Sequence, residues 1–499
     1  MLCQLLNPFN WKSPVRRYIS VFLFFLQTLF ASYPGQTLPI ETNFPELGEH
    51  IDTGLSTQTE RLIGNMIMQK IYGSDFIIAD PVVNEYLQGL AIKFTPHIHT
   101  NDFKLHFFGV NTPELNAFAF FGAHVAVHSG LILAVTNESE LAAVLAHETA
   151  HITQRHLARI VAASRQMMPL TFAEVLAAIA VGALGAPDAG VHLATAALAG
   201  HVQQMINFTR EHEQEADRIG IQLLAASKFD PAAMASVFQR MKKQVYYHEI
   251  PPEYLLTHPV FDSRIADAQN RAESFPYQQA PDSLQFHLVR ARLEVAKEEN
   301  TTKKINRFKD QLVSGRYANK AAMQYGHALA LVKNQQAKTA IPILKELTTL
   351  YPNNWMIEFG MAEAEASVGL LPQALNRIKH LLKDHPVNYA IVLQYAAFLI
   401  QNSQANEAVR LLLAHRKAHA EDPALHQLLA KAYSQLNQAT QLHRSQAEWH
   451  FARGEFKEAL QQLELTLEHC QEDKKLVAEI QKRKETMQDI IKRQREIKL

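Results

Sequence analysis

His147, Glu148 and His151 stand at the spacing His-Glu-x-x-His. Residues four apart on an α-helix lie about 40° apart around its axis, so both imidazoles leave one face and can close on a single cation. Glu148 sits one position round, near enough to hold a water beside that cation without ligating it. This is equipment for metal-assisted hydrolysis. The pattern arises by chance in roughly one chain in twenty of this length, so the surrounding residues must decide its meaning. The competing reading is a core helix whose histidines are satisfied by neighbours. Two histidines and a glutamate on a buried face are expensive unless something binds them.

The element that must carry these residues is a helix. Asn137 is a suitable N-cap, Glu140 completes a capping box, and Leu141, Val144, Leu145 and Ile152 form an apolar stripe beside the histidines. A third ligand is then required. The His-x-x-Gly-x-x-His extension of one zinc-peptidase class is absent, because Gln154 stands at the glycine and His156 falls one place short. The other solution is a carboxylate from a later helix. In the segment Arg210 to Gly220, Glu213 and Asp217 are four apart and share a face. Glu213 can bind the metal while Asp217 accepts the outer N–H of a ligating histidine. Ala216 and Gly220 are small enough for close approach to the first helix, and Glu211 and Glu215 read as a solvated acidic face.

His-Glu-x-x-His followed some sixty residues later by Glu-x-x-x-Asp resembles the gluzincin peptidases of the CAAX-prenyl-protease and HtpX type. Two further segments resemble that family. One is Asn116-Ala117-Phe118-Ala119-Phe120-Phe121-Gly122 with Val125 to Leu131; the other is Thr257-His258-Pro259 with Arg264-Ile265. The chain departs from the family at Phe121-Gly122-Ala123, where many members carry Pro-Gly-Gly, and at His212, often an asparagine. The expected chemistry is peptide hydrolysis with one zinc ion per chain, held by His147, His151 and Glu213. Glu148 moves the proton, with Asp217 in support. His258 and Arg264, and also Tyr254, are candidates for a contact to the transition state. His258, just before Pro259, is equally a candidate gate over the metal's open position.

Equal numbers of acidic and basic side chains, 49 of each in 499 residues, argue against a nucleic-acid binder. Lys12, Arg16 and Arg17 precede a mostly apolar block, Tyr18 to Phe30, of signal-peptide length, so residues 1–32 read as an export signal or an uncleaved anchor. Cys3 and Cys470 are the only cysteines, and Cys470 reads as a helix residue of no special role. Residues near 55–95 look helical, with Ile63, Met66, Ile67 and Ile71 on one face. Phe103 to Val110 and Val125 to Leu133 read as strands, the second offering an open edge to an extended peptide. Leu170 to Gly200 reads as a helical hairpin over the site, with a membrane-facing lid as the alternative.

From about residue 280 the pattern becomes a repeat. Ala328, Ala362 and Ala396 are spaced by 34, as are Ala340, Ala374 and Ala408, with an offset of 12 within each pair. These are the small-residue positions where the two helices of a tetratricopeptide unit cross. Ala447 and Ala459 restart the pair after a slip of half a period, and Lys474 to Leu499 reads as a basic amphipathic capping helix.

The expected fold is therefore mainly α. A zinc-metallopeptidase domain of helices and a small β-sheet (33–280) precedes an α-solenoid of tetratricopeptide repeats (281–499). The expected setting is the periplasm. There the repeats recruit clients or an assembly machine, which the resemblance identifies as misassembled outer-membrane β-barrel proteins and their insertion complex. Peripheral membrane contact is a minor possibility. The alternative function is a chaperone or adaptor whose metal site is secondary or latent.

Overall fold

The computed structural model describes residues 55–74, 76–98, 104–167, 199–247, 253–277, 280–297 and 300–496. The expected export segment, Cys3 and the 170–198 part of the expected hairpin lie outside them. Two helices open the described chain, α1 (Thr57–Gly73) and α2 (Pro81–Phe94). Ser56 caps α1 by accepting from Thr59 N–H, and Asp80 caps α2 by accepting from Val82 N–H with Pro81 in the first turn. Ile63, Met66, Ile67 and Ile71 are all buried.

Three strands follow: β1 (His106–Val110), β2 (Ala117–Phe120) and β3 (His124–His128). Their order is β1-β3-β2; β3 pairs parallel with β1 and antiparallel with β2. Two expectations are corrected here. The strand expected to run to Leu133 ends at His128, and Ser129–Ala134 forms a short helix, α3. The apolar run there suits either period. Close packing then settles the backbone, since a methyl on Gly130 would lie 2.1 Å from the Pro113 carbonyl oxygen. The Val125 strand is also central, paired on both sides, and so offers no open edge.

The two true edges differ in kind. On β1 the outward backbone groups are already bonded. Gly109 N–H donates to Asn84 Oδ1 (2.9 Å), its carbonyl accepts from Ile78 N–H (3.0 Å), and Phe107 N–H donates to Gln88 Oε1 (3.2 Å). Asn84 and Gln88, one turn apart on α2, thus close that edge. On β2 the outward Ala119 N–H is taken by the Glu148 carboxylate (3.0 Å), and no helix side chain bonds the Ala117 N–H among the described residues. The β2–β3 turn places Gly122 at φ 83° and Ala123 at φ 63°. Ala123 is the residue standing where the similar family carries a second glycine, and an L-residue is disfavoured there.

Next come α4 (Glu138–Thr153), α5 (His156–Met167), α6 (Ala199–Ala226), α7 (Ala233–Tyr247), α8 (Glu253–Thr257) and α9 (Asp262–Glu273). The repeats are built from α10 (Leu284–Lys297), α11 (Thr301–Ser314), α12 (Lys320–Lys333), α13 (Ala337–Leu350), α14 (Trp355–Ser367), α15 (Leu371–Asp384), α16 (Tyr389–Gln401), α17 (Ala405–His415), α18 (Pro423–Gln435), α19 (Ala439–Ala452), α20 (Phe456–Glu468) and α21 (Lys474–Glu496). Ala328, Ala362, Ala396, Ala340, Ala374 and Ala408 are fully buried where successive helices cross, as are Ala447 and Ala459 beyond the half-period slip. Asn319, Asn354 and Asn388 each cap the first helix of a repeat. Ile480 and Met487 of α21 close the last cluster against Ala447, Ala459 and Leu463.

The array packs back on the catalytic half. Arg292 on α10 is buried; it bonds Asp80 (2.6 Å), Tyr325 Oη (2.8 Å) and Glu363 (3.0 Å), tying the N-cap of α2 to α12 and α14. Asn65 and Gln69 of α1 donate to Glu421 (2.9 Å) and to the Phe451 carbonyl (3.1 Å), and Gln494 of α21 donates to Gln69 (3.0 Å).

His106 and His124 face each other across β1 and β3 with their Nδ1 atoms 3.1 Å apart, one donating and one accepting. Burial, aided by Lys104, lowers the His106 pKa to about 4; burial, aided by His106, lowers that of His124 to about 3. Both folded values lie below the unfolded value of about 6.5, so the unfolded chain binds more protons as pH falls through that range. Their contribution is complete above pH ~6.5 and is lost on acidification. We expect the melting temperature to fall between pH 7 and pH 5, and the fall to be shallower in His124→Leu. Identical slopes for parent and variant would refute this.

Candidate metal centre

Asn137 caps α4 by accepting from Glu140 N–H (2.8 Å). The Glu140 carboxylate reaches back to Thr136 N–H (2.7 Å), one residue earlier than in the usual capping box, and Arg240 holds it from α7 (3.0 Å). Along this helix His147 is 0% and Glu148 1% exposed. The partner helix α6 approaches closely because Gly220 has no side chain; a methyl there would come within 3.2 Å of the His147 backbone nitrogen. Ala216 is likewise fully buried.

The approach brings the expected ligands together. His147 Nε2 lies 2.9 Å from His151 Nε2 and 3.4 Å from Glu213 Oε2, and His151 Nε2 lies 3.3 Å from Glu213 Oε1. His258, which follows α8, joins them: its Nδ1 is 2.9 Å from Glu213 Oε1 and 3.3 Å from His147 Nε2. One ligating atom from each of His147, His151, Glu213 and His258 lies within 4.8 Å of the others. Asp217 Oδ1 is 2.9 Å from His147 Nδ1, on the outer side of the ring.

Arg264, from α9, lies beneath this group. It hydrogen-bonds both oxygens of Asp217 (2.7 and 2.8 Å) and the Pro259 carbonyl (2.7 Å), and ion-pairs with Glu213 Oε2 (2.8 Å). Its guanidinium is therefore committed to the two carboxylates and to the backbone of the His258 segment. Tyr254 is fully buried and stacks on His258 with ring centroids 4.7 Å apart. Glu148 faces the sheet: Oε2 accepts from Ala119 N–H (3.0 Å), and Oε1 is 3.6 Å from His258 Nε2.

Burial alone would raise Asp217 and Glu213. Hydrogen bonds from His147 and Arg264 to Asp217, and the charge of His258 with bonds from His147 and His151 to Glu213, outweigh it and hold both carboxyls below the usual range. Burial pushes the Glu148 carboxyl up, opposed by His258 and His147. The two imidazoles are driven apart. Burial takes His151 well below its usual value, whereas in His147 hydrogen bonds to Asp217 and Glu213 overcome burial and bring it up to about 9.

Residues 81–272 match peptidase family M48, and residues 368–432 match a tetratricopeptide repeat. Over 417 residues the chain is 34% identical to the beta-barrel assembly-enhancing protease of Escherichia coli K12, spanning 83% of this chain and 85% of that protein. The chain belongs to peptidase family M48. It is 35% identical over 402 residues to the protein of the same name from Yersinia pestis (79% of this chain, 81% of that one). A mitochondrial metalloendopeptidase, OMA1 of Schizosaccharomyces pombe, is 33% identical over 165 residues, covering 33% of this chain and 46% of that protein. This M48 peptidase is a zinc metalloendopeptidase followed by helical repeats.

The residues present fit zinc. Imidazole nitrogen and carboxylate oxygen are its ordinary ligands, and donors around a tetrahedral zinc lie about 3.3 Å apart. Five of the six donor pairs lie 2.9 to 3.4 Å apart, and all four donors fall within 4.8 Å of one another.

Sequence reasoning missed two members of the surroundings. The motif spacing gives His156 no place among the ligands, yet its ring lies against His151. Glu215, expected on a solvated face, is 19% exposed and pairs with His156 (3.0 Å) and Arg159 (2.9 Å), and these bonds lower its carboxyl to about 2. Glu211 is exposed as expected. A break in the helix after Thr153 produced both contacts, and no local periodicity announces it.

Arg264→Leu would leave Glu213 and Asp217 buried without their cation, at a cost of about 3–5 kcal/mol. We expect a large drop in the melting temperature of the metal-free protein. Arg264→Lys should recover only part of it, because an ammonium cannot make the bidentate bond. Thermal unfolding in a chelator measures both.

Proposed function

We propose that His147, His151 and Glu213 hold the zinc and that Glu148 is the general base of peptide hydrolysis. The carrying observation is the meeting of three zinc-type donors from two distant helices beside a buried carboxylate. When bound, zinc supplies Lewis acidity that polarises the scissile carbonyl and brings the pKa of water towards neutrality. Glu148 takes the proton from the attacking water and returns it to the leaving amine. Asp217 accepts His147 Nδ1–H and thereby fixes the tautomer that presents Nε2 inward. Arg264 keeps Asp217 and Glu213 ionised and in place.

β2 is the strand on which a substrate would lie. Asn116 O accepts from His128 N–H (3.1 Å), so residues 116, 118 and 120 bond into the sheet, and the backbone groups of Ala117 and Ala119 point outward. Ala119 N–H already reaches Glu148. An extended peptide added to this edge runs past the catalytic carboxylate.

His258 supports a latent enzyme. Its Nδ1 sits among the zinc-type donors, where it would fill the position that water or substrate needs, and its backbone is tied through Pro259 to Arg264. Departure of this segment would open the site.

The wider setting follows the relatives. The related beta-barrel assembly-enhancing proteases are so named for their part in assembling β-barrels. No helix among the described residues is long and apolar enough to cross a membrane. We assign this enzyme to the periplasm, where it removes or assists misassembled outer-membrane β-barrel proteins while its repeats recruit those clients or the assembly machinery.

Glu148→Gln should keep zinc, measured by metal analysis, and lose at least about 100-fold in cleavage of an unfolded protein. Retained cleavage would remove the proposed base. Ala117→Pro removes an outward N–H and should slow cleavage severalfold at unchanged zinc content; an unaltered rate would reject the β2 edge. His258→Ala should cleave severalfold faster, and a slower variant would assign His258 to the transition state instead.

A further inference from the structure

Each zinc-binding imidazole needs its outer nitrogen held, and the two histidines of α4 meet that need differently. His147 Nδ1 finds a carboxylate directly, Asp217. His151 Nδ1 lies 2.8 Å from His156 Nδ1, a second imidazole, whose Nε2 lies 3.0 Å from Glu215 Oε2; Arg159 holds the same oxygen at 2.9 Å. We infer that His156 is the positioning residue for His151, passing the charge of Glu215 through its ring to the ligand. This rests on the reading of His151 as a zinc ligand.

The hydrogen-bond directions follow from the inventory of donors. A neutral imidazole carries one N–H. With Nε2 of His151 turned to the metal, its proton is on Nδ1 and is donated to His156 Nδ1, which must therefore be bare. His156 then carries its proton on Nε2 and donates it to Glu215, an acceptor fixed by Arg159. Each of these positions is satisfied, and only one arrangement of protons does it.

The backbone is shaped for this contact. On an unbroken helix His156 would lie about 140° round from His151. Instead α4 ends at Thr153, Arg155 takes φ 51°, and α5 starts at His156 in a new direction. Arg155 is anchored by Glu60 (Nε to Oε1, 3.1 Å) and the Leu55 carbonyl (2.8 Å). His212 stacks on the His156 ring, centroids 4.2 Å apart at 12°, and so sets its plane. His212, Glu213, Glu215 and Asp217 all belong to α6, so one helix supplies a ligand and steadies both imidazoles.

The test is zinc affinity of the full chain, measured by competition with a chromophoric chelator. His156→Phe removes the acceptor and should weaken zinc binding by roughly 10–100-fold. His156→Asn places Oδ1 near the former Nδ1 and should recover most of that loss. Glu215→Gln, which leaves His156 itself in place, should weaken binding to a smaller degree. Melting curves in chelator verify folding, and Glu215→Gln carries the test where His156→Phe does not fold. Parent-like affinity in both His156→Phe and Glu215→Gln overturns the inference, as does an equal loss in His156→Phe and His156→Asn. His151→Ala separates the two levels. If it keeps zinc, the metal-site reading itself fails; if it loses zinc while His156→Phe does not, only the positioning role fails.

Discussion

Two ionised carboxylates on the buried face of one helix are the constraint around which the catalytic half is built. Glu213 and Asp217 are 3% and 2% exposed, which is tolerable only with positive partners on several sides. α4 brings His147 from above, and α9 brings Arg264 from below. The absence of a side chain at Gly220 lets α4 come close enough for the first of these contacts. Remove any one of them and the others are left as uncompensated charge in a dry interior. The same arrangement that makes the cluster costly makes it hold its shape before any cation arrives.

Much of this was legible from sequence because helices write their periodicity into it. The spacing of His147 and His151, the cap at Asn137 and the pairing of Glu213 with Asp217 are all one-turn relations, and the structure brings these residues together. The alanines of the repeats are equally local, a period of 34 seen directly in the residues and then buried at the crossings. The sheet was less readable. Strand order is a tertiary property, so nothing in Val125 to His128 announces a centre strand, and β2 is only four residues long. The Ser129–Ala134 helix was lost in an apolar run compatible with either period.

The contacts that sequence could not supply depend on where the backbone bends. His156 reaches His151 only through the left-handed residue Arg155, and Arg264 reaches two carboxylates only because α9 turns back under α6. Arg292 is a third case, joining Asp80, Tyr325 and Glu363 across more than two hundred residues of chain. Each is an arginine or histidine whose meaning lies in its partners, and a single sequence names the residue without naming them.

The unequal edges of the sheet carry a consequence for what this enzyme selects. Asn84 and Gln88 seal one side, so under the proposed strand addition a visiting chain would have a single berth and would need unspent amide and carbonyl groups to occupy it. A protein that has already mated its own strands has none to offer. Choice of target would then follow the folding state of the visitor, with backbone vacancy rather than side-chain identity as the ticket of admission.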